Sequence, residues 1–95
     1  MPAQLLSASD LASLDATLPH WQLVAGQLHR DLVFADFVEA FAFMTKVALI
    51  AEAMDHHPQW SNVWNRVSID LITHDMGGLS NLDVQLAQRI DGLTR

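Results

Sequence analysis

Three of the five histidines stand beside residues able to move or steer protons. His56 and His57 are adjacent, with Glu52 and Asp55 just before them, and His74 lies between Thr73 and Asp75. Histidine is the side chain whose ordinary pKa, about 6.5, lets it give and take protons near neutral pH. A nearby carboxylate such as Glu52 can orient an imidazole or stabilise its cation. General acid–base catalysis is the chemistry these residues suit. A three-histidine zinc centre of the hydrolase kind is the alternative that spacing leaves open, although adjacent histidines on a short loop rarely aim both rings at one ion. Taken singly, each residue has a plainer reading. The His-His pair can be a surface loop, Glu52 a solvated helix position and Asp83 a helix cap, and Trp21 and Trp60 can serve packing or an interface.

The elements that must position these residues follow from patterning. Ser7 caps a first helix with Asp10 three residues on, and Leu11, Leu14 and Leu18 recur on one face until Pro19 stops it. Trp21 and Leu23, then Leu28, Leu32 and Phe34, flank Ala25-Gly26-Gln27, which predicts two strands joined at Gly26. Asp36 and Glu39 open a longer helix. Its expected apolar face is Phe37, Phe41, Met44, Val47, Ala48 and Ala51, broadened by Val38, Phe43, Ile50 and Met54. Pro58 ends this helix near Met54, because the residue before a proline avoids helical geometry.

Val67, Ile69 and Leu71 then alternate with Ser68, Asp70 and Ile72, a strand signal. Val63 and Trp64 are expected in a shorter strand before it, with the bend at Asn65-Arg66. After Gly77-Gly78, Ser80 caps a last helix with Asp83 three residues on, whose apolar face is Leu82, Leu86, Ile90 and Leu93. The order α-β-β-α-β-β-α predicts an α+β fold. Its core is a four-stranded antiparallel sheet with helices packed on one face, the other face being solvated or covered by a second subunit. His56, His57 and His74 then fall in loops at the ends of rigid elements, the usual place for function.

Composition limits what such a protein can do. Its 95 residues suit a single domain, residues 1–95, and 51% hydrophobic content is enough for a packed core. A chain this short has a modest core, so self-association is a reasonable expectation. The net charge of −6, with scattered Lys and Arg, disfavours nucleic-acid backbones and anionic membranes. No cysteine is present, so no disulfide, thiolate metal site or thiol nucleophile exists. Met1 to Asp10 lacks the basic and apolar blocks of a signal peptide, and Val47 to Ala51, as long an apolar run as the chain contains, is far too short to span a bilayer. A cytoplasmic setting is the expectation.

The combination of motifs carries more. The run Ala51-Glu52-Ala53-Met54-Asp55-His56-His57-Pro58-Gln59-Trp60, followed by Asn62, Val63 and Val67, resembles the pterin-4a-carbinolamine dehydratases. So does Leu71-Ile72-Thr73-His74-Asp75-Met76-Gly77-Gly78-Leu79-Ser80, followed by Asp83, Leu86 and Ala87. Phe37, Ala40, Phe41, Phe43, Met44 and Val47-Ala48 are similar to that family's long helix. The likeness runs from about Trp21 almost to the C-terminus.

This resemblance implies removal of water from 4a-hydroxytetrahydrobiopterin, or a similar pterin, to give a quinonoid dihydropterin, with no metal or organic cofactor. It implies that His56 and His74 act as acid and base and that His57 chiefly holds the pterin. Asp55, Thr73 and Asp75 would line the substrate, Glu52 would support the histidines, and Trp21 would stack on the flat ring. Asp83 and Trp60 are supporting positions. The resemblance further implies a homodimer or homotetramer and a functional link to an aromatic amino acid hydroxylase. A non-catalytic role as a dimerisation cofactor for a protein partner is the alternative, since animal members also act in that way. Ala53 stands where many members carry lysine, and Trp64 replaces a common tyrosine; neither removes an expected proton-transfer group.

Overall fold

A computed structural model describes residues 3–94. Two short helices open the chain, α1 (Ala8–Ala12) and α2 (Leu14–Thr17). Ser7 and Asp10 form the expected reciprocal cap on α1. The expected single helix is broken at Ser13, whose hydroxyl donates to the Asp10 carbonyl at 3.0 Å. Such local side-chain bonds compete with helix continuation. The break leaves Leu11 exposed, while Leu14 and Leu18 are buried.

β1 (Gln22–Val24) and β2 (Gln27–Val33) form the expected hairpin. Ala25 and Gly26 both have positive φ, 51° and 79°, as a tight two-residue hairpin turn requires. α3 spans Phe37–Met54, opened by the Asp36 side chain accepting the Glu39 amide at 2.8 Å. The Glu39 carboxyl reaches back to the Ala35 amide rather than to that of Asp36.

The inward face of α3 differs from the expected one. Ala40, Phe43, Val47 and Ala51 are buried, whereas Phe37, Phe41 and Ala48 are exposed. Because α3 is apolar almost all round, periodicity alone does not choose the face that meets the sheet.

β3 (Gln59–Val63) and β4 (Arg66–Leu71) make the second hairpin. The bend lies at Trp64-Asn65, one residue earlier than expected, with Trp64 at φ 51°. Side-chain amides hold it there. Asn62 Nδ2 donates to the Trp64 and Arg66 carbonyls at 3.1 and 2.8 Å, and Asn65 Nδ2 donates to the Phe34 carbonyl at 2.9 Å. A 3-10 turn (His74–Met76) and α4 (Asn81–Asp91) complete the chain.

The four strands are antiparallel in the order β1-β2-β4-β3. One face of the central pair, Leu28, Leu32, Val67, Ile69 and Leu71, packs on Ala40, Phe43 and Val47 of α3 and on Leu86, Ala87 and Ile90 of α4. Each fully buried aliphatic side chain there contributes about 1.5–3 kcal/mol, so this layer dominates stability. The opposite face carries His29, Asp31, Ser68 and Asp70, and none of the described helices covers it. None of the described helices is long and apolar enough to cross a membrane.

Candidate active site

The end of α3 sets the first two histidines. Asp55 takes a left-handed conformation, φ 52° and ψ 42°. Its amide bonds the Glu52 carbonyl at 3.2 Å, and the His56 amide bonds the Ala51 carbonyl at 3.1 Å. This paired closure turns the chain sharply off the helix axis. Asp is among the few residues other than glycine that enter this region readily. His56 is thereby directed inward and is buried, while His57 stays exposed.

The third histidine is set by β4 running into the 3-10 turn. Thr73 and Gly78 pair across the turn, the Thr73 amide bonding the Gly78 carbonyl at 3.1 Å. Gly77 sits at φ 71°, a conformation that disfavours side chains. The closed turn holds His74 and Asp75 at its exposed tip and brings Thr73 back beside Ser80.

Asp83 joins these two loops. Its carboxyl is fully buried. Oδ1 lies 2.6 Å from His56 Nε2, while Oδ2 accepts the Thr73 hydroxyl at 2.8 Å and the Ser80 amide at 2.9 Å. The Thr73 and Ser80 hydroxyl oxygens are 2.6 Å apart. Since the Thr73 proton goes to Asp83, the Ser80 hydroxyl donates to Thr73. An acceptor-only carboxylate against Nε2 places a proton there and leaves Nδ1 of His56 available for exchange. The His56 ring and the Thr73 hydroxyl are each one hydrogen bond from the same carboxyl, and His74 is the next residue.

The remaining expected residues are placed as follows. His57 Nε2 meets Glu52 Oε1 at 2.8 Å, at the exposed end of α3. The His74 ring makes no hydrogen bond with the described residues and faces solvent. Trp60 is half-buried on β3 opposite Ile69. Trp21 is buried, and its indole N–H donates to Asp91 Oδ1 at 2.8 Å. Asp91 also pairs with Arg30 and ends α4, about 12 Å along the helix from Asp83. Trp21 is therefore tied to the far end of α4 rather than to the histidine loops.

Ser80, which the sequence reading assigns only to capping, is a member of the Asp83 network. The spacing Thr73, Gly77-Gly78, Ser80 was its signal, because the glycine turn folds Thr73 back onto the cap. Among the described residues, no three His, Cys, Asp or Glu side chains are gathered so as to hold a metal ion. Five surface hollows of about 320–450 Å³ have none of His56, His57 or His74 on their walls.

The fold is an α+β domain in which a buried carboxyl links an imidazole to a histidine-bearing turn. Residues 4–93 match the family described as Pterin 4 alpha carbinolamine dehydratase, and the chain belongs to that family. A Synechococcus sp. (strain WH7803) protein named "Putative pterin-4-alpha-carbinolamine dehydratase" is 67% identical over 96% of this chain and 98% of its own length. A Solibacter usitatus protein of the same name is 53% identical over 93% of each.

Among solved structures, a transcriptional coactivator/pterin dehydratase from Brucella melitensis superposes with a TM-score of 0.91 at 36% identity, covering 97% of this chain and 100% of that one. A pterin dehydratase-like protein described as a RuBisCO assembly factor of the alpha-carboxysome shares the fold, with a TM-score of 0.63 at 24% identity over 77% of this chain and 84% of its own.

Proposed function

We propose that this chain eliminates water from a 4a-hydroxytetrahydropterin, of the 4a-hydroxytetrahydrobiopterin type, to give a quinonoid dihydropterin. The observation that carries the reading is the Asp83 carboxyl, which ties His56 to the Thr73–His74 turn through buried hydrogen bonds.

The reaction breaks the bond between C4a and its hydroxyl oxygen. That oxygen takes a proton and departs as water. The adjacent ring nitrogen gives its proton to a base, and a carbon–nitrogen double bond forms. Hydroxide is a poor leaving group, so the general acid matters most, and each positioned transfer contributes about 10²–10⁴-fold. His56, held through Nε2, exchanges at Nδ1. His74, with no competing partner among the described residues, is the second proton carrier. His57, paired with Glu52, holds the pterin, and Asp55 and Asp75 line it. Thr73 acts chiefly by holding Asp83, since its hydroxyl is engaged there. None of these steps needs a metal or organic cofactor.

Self-association belongs to the same reading. Phe37, Val38, Phe41 and Leu49 expose apolar surface along α3, and among the described strands β3 leaves one edge unpaired. A homodimer or homotetramer would cover such surface, and light scattering reads which forms. The same face favours a second reading, binding of a protein partner independently of chemistry. Retained binding by a His56→Ala, His74→Ala double variant would support that role. A cytoplasmic enzyme recycling the pterin of an aromatic amino acid hydroxylase is the setting we propose.

The test is a stopped assay on chemically generated 4a-hydroxytetrahydropterin, following the quinonoid product, before and after chelation. Acceleration that survives chelation is expected. No acceleration overturns the proposal, and loss on chelation moves the chemistry to a metal centre.

A further inference from the structure

The uncovered sheet face carries a second His–Asp–hydroxyl cluster, which the proposed chemistry does not use. His29 on β2 has both ring nitrogens occupied. Nδ1 lies 2.8 Å from Asp70 Oδ1 across the strand pair, and Nε2 lies 3.0 Å from Asp31 Oδ2 on its own strand. The other oxygen of Asp31 accepts the Ser68 hydroxyl at 2.6 Å. His29 stands opposite Asp70 in the β2–β4 register, and Asp31 stands opposite Ser68.

An imidazole that faces a carboxylate at each nitrogen donates at both only when it carries both protons. A neutral ring donates once and turns a lone pair toward the other carboxylate. We propose that His29 is a proton-operated clamp between β2 and β4, closed as the imidazolium and releasing its Asp31 arm on deprotonation.

The Asp31 arm opens because Asp31 keeps the Ser68 hydroxyl and is the more exposed carboxylate, 67% against 37% for Asp70. Among the described residues, the neighbouring strands supply no competing cation beside the ring. β1 and β3 place uncharged Gln22 and Gln59 in line with it, and on β4 the one cation, Arg66, stands farther off, opposite Val33. Arg30, next in sequence, pairs with Asp91 of α4.

The electrostatics agree. The hydrogen bonds that the ring donates to Asp31 and Asp70 raise the His29 pKa above its usual 6.5, outweighing the opposing effect of burial. A raised folded-state pKa means that the clamp's stabilisation is complete below pH 6.5. It is lost as pH rises through the raised value. The chain runs from the end of β4 through Ile72 to Thr73, so the clamped strand is the one that leads into the His74 turn.

The experiment pairs a proton NMR titration of the His29 ring with thermal melts of wild type and His29→Gln at pH 6 and pH 9. The ring is expected to titrate above 6.5. The wild-type advantage in Tm is expected to shrink by about 2–4 °C between the two pH values. Asp70→Asn, a surface change, is expected to return the His29 titration toward 6.5. A His29 titration at or below 6.5, or a Tm difference independent of pH, overturns the clamp. An unchanged titration in Asp70→Asn overturns its cross-strand arm.

Discussion

Two clusters of the same residue types sit in this small fold in opposite settings. At the candidate site, Asp83 is fully buried and takes His56, the Thr73 hydroxyl and the Ser80 amide. On the uncovered sheet face, Asp31 and Asp70 share His29, and Ser68 supplies a hydroxyl to Asp31. The first cluster links two loops whose backbones turn through left-handed residues, Asp55 and Gly77. The second links strands already held by a regular ladder. The contrast teaches that composition does not make an acid–base site. A buried carboxyl leaves its imidazole one orientation and one nitrogen for exchange, whereas a solvated pair of carboxylates saturates the ring at both ends. The first arrangement suits chemistry on a ligand, and the second suits a response to pH.

The comparison can be broken most directly at its two carboxyls. Asp83→Ala strands the His56 ring, the Thr73 hydroxyl and the Ser80 amide in the interior, and removing one member of a buried pair costs about 3–5 kcal/mol. Urea unfolding is expected to show a loss of that order. Asp31→Ala on the open face is expected to cost about 0–1 kcal/mol. Equal losses from the two substitutions would erase the distinction.

Next comes Thr73→Val, which keeps shape but removes the hydroxyl between Asp83 and Ser80. A loss of about 1–3 kcal/mol is expected, as for a buried donor, here the Ser80 hydroxyl, left unsatisfied, together with a slower turnover from a displaced His74 turn. His74→Ala sharpens the comparison from the other side. The ring is exposed and bonded to no described residue, so melting should hardly move. The dehydration rate should fall by about 10²–10⁴-fold. The smallest effect is that of His29→Gln, a change of a few degrees in Tm visible only through its pH dependence.

Much of this arrangement was legible in the sequence where the signals are local. Asp36 and Pro58 bracket α3 because a cap and a proline act within a turn of where they stand. Ser80 and Asp83 announce the start of α4 in the same way. The Ala25-Gly26 hairpin is legible because a tight turn needs positive φ. What depends on tertiary choice was not. α3 offers apolar residues on most sides, so Ala40 and Phe43 face the core while Phe37 and Phe41 do not.

Nor does spacing reveal that Asp83 serves both as helix cap and as partner to His56, 27 positions away. A capping carboxylate looks the same in sequence whether or not its second oxygen is used. The His29 cluster was invisible for a related reason. Its members are recognisable only once the β2–β4 register sets Asp70 opposite His29.

The most direct measurement is the dehydration rate of the His56→Ala, His74→Ala double variant beside wild type, with circular dichroism to establish that the fold is retained. A folded double variant whose rate falls to the uncatalysed level, below that of either single variant, is the expected result. A folded double variant with the wild-type rate would contradict the assignment of proton transfer to these two imidazoles.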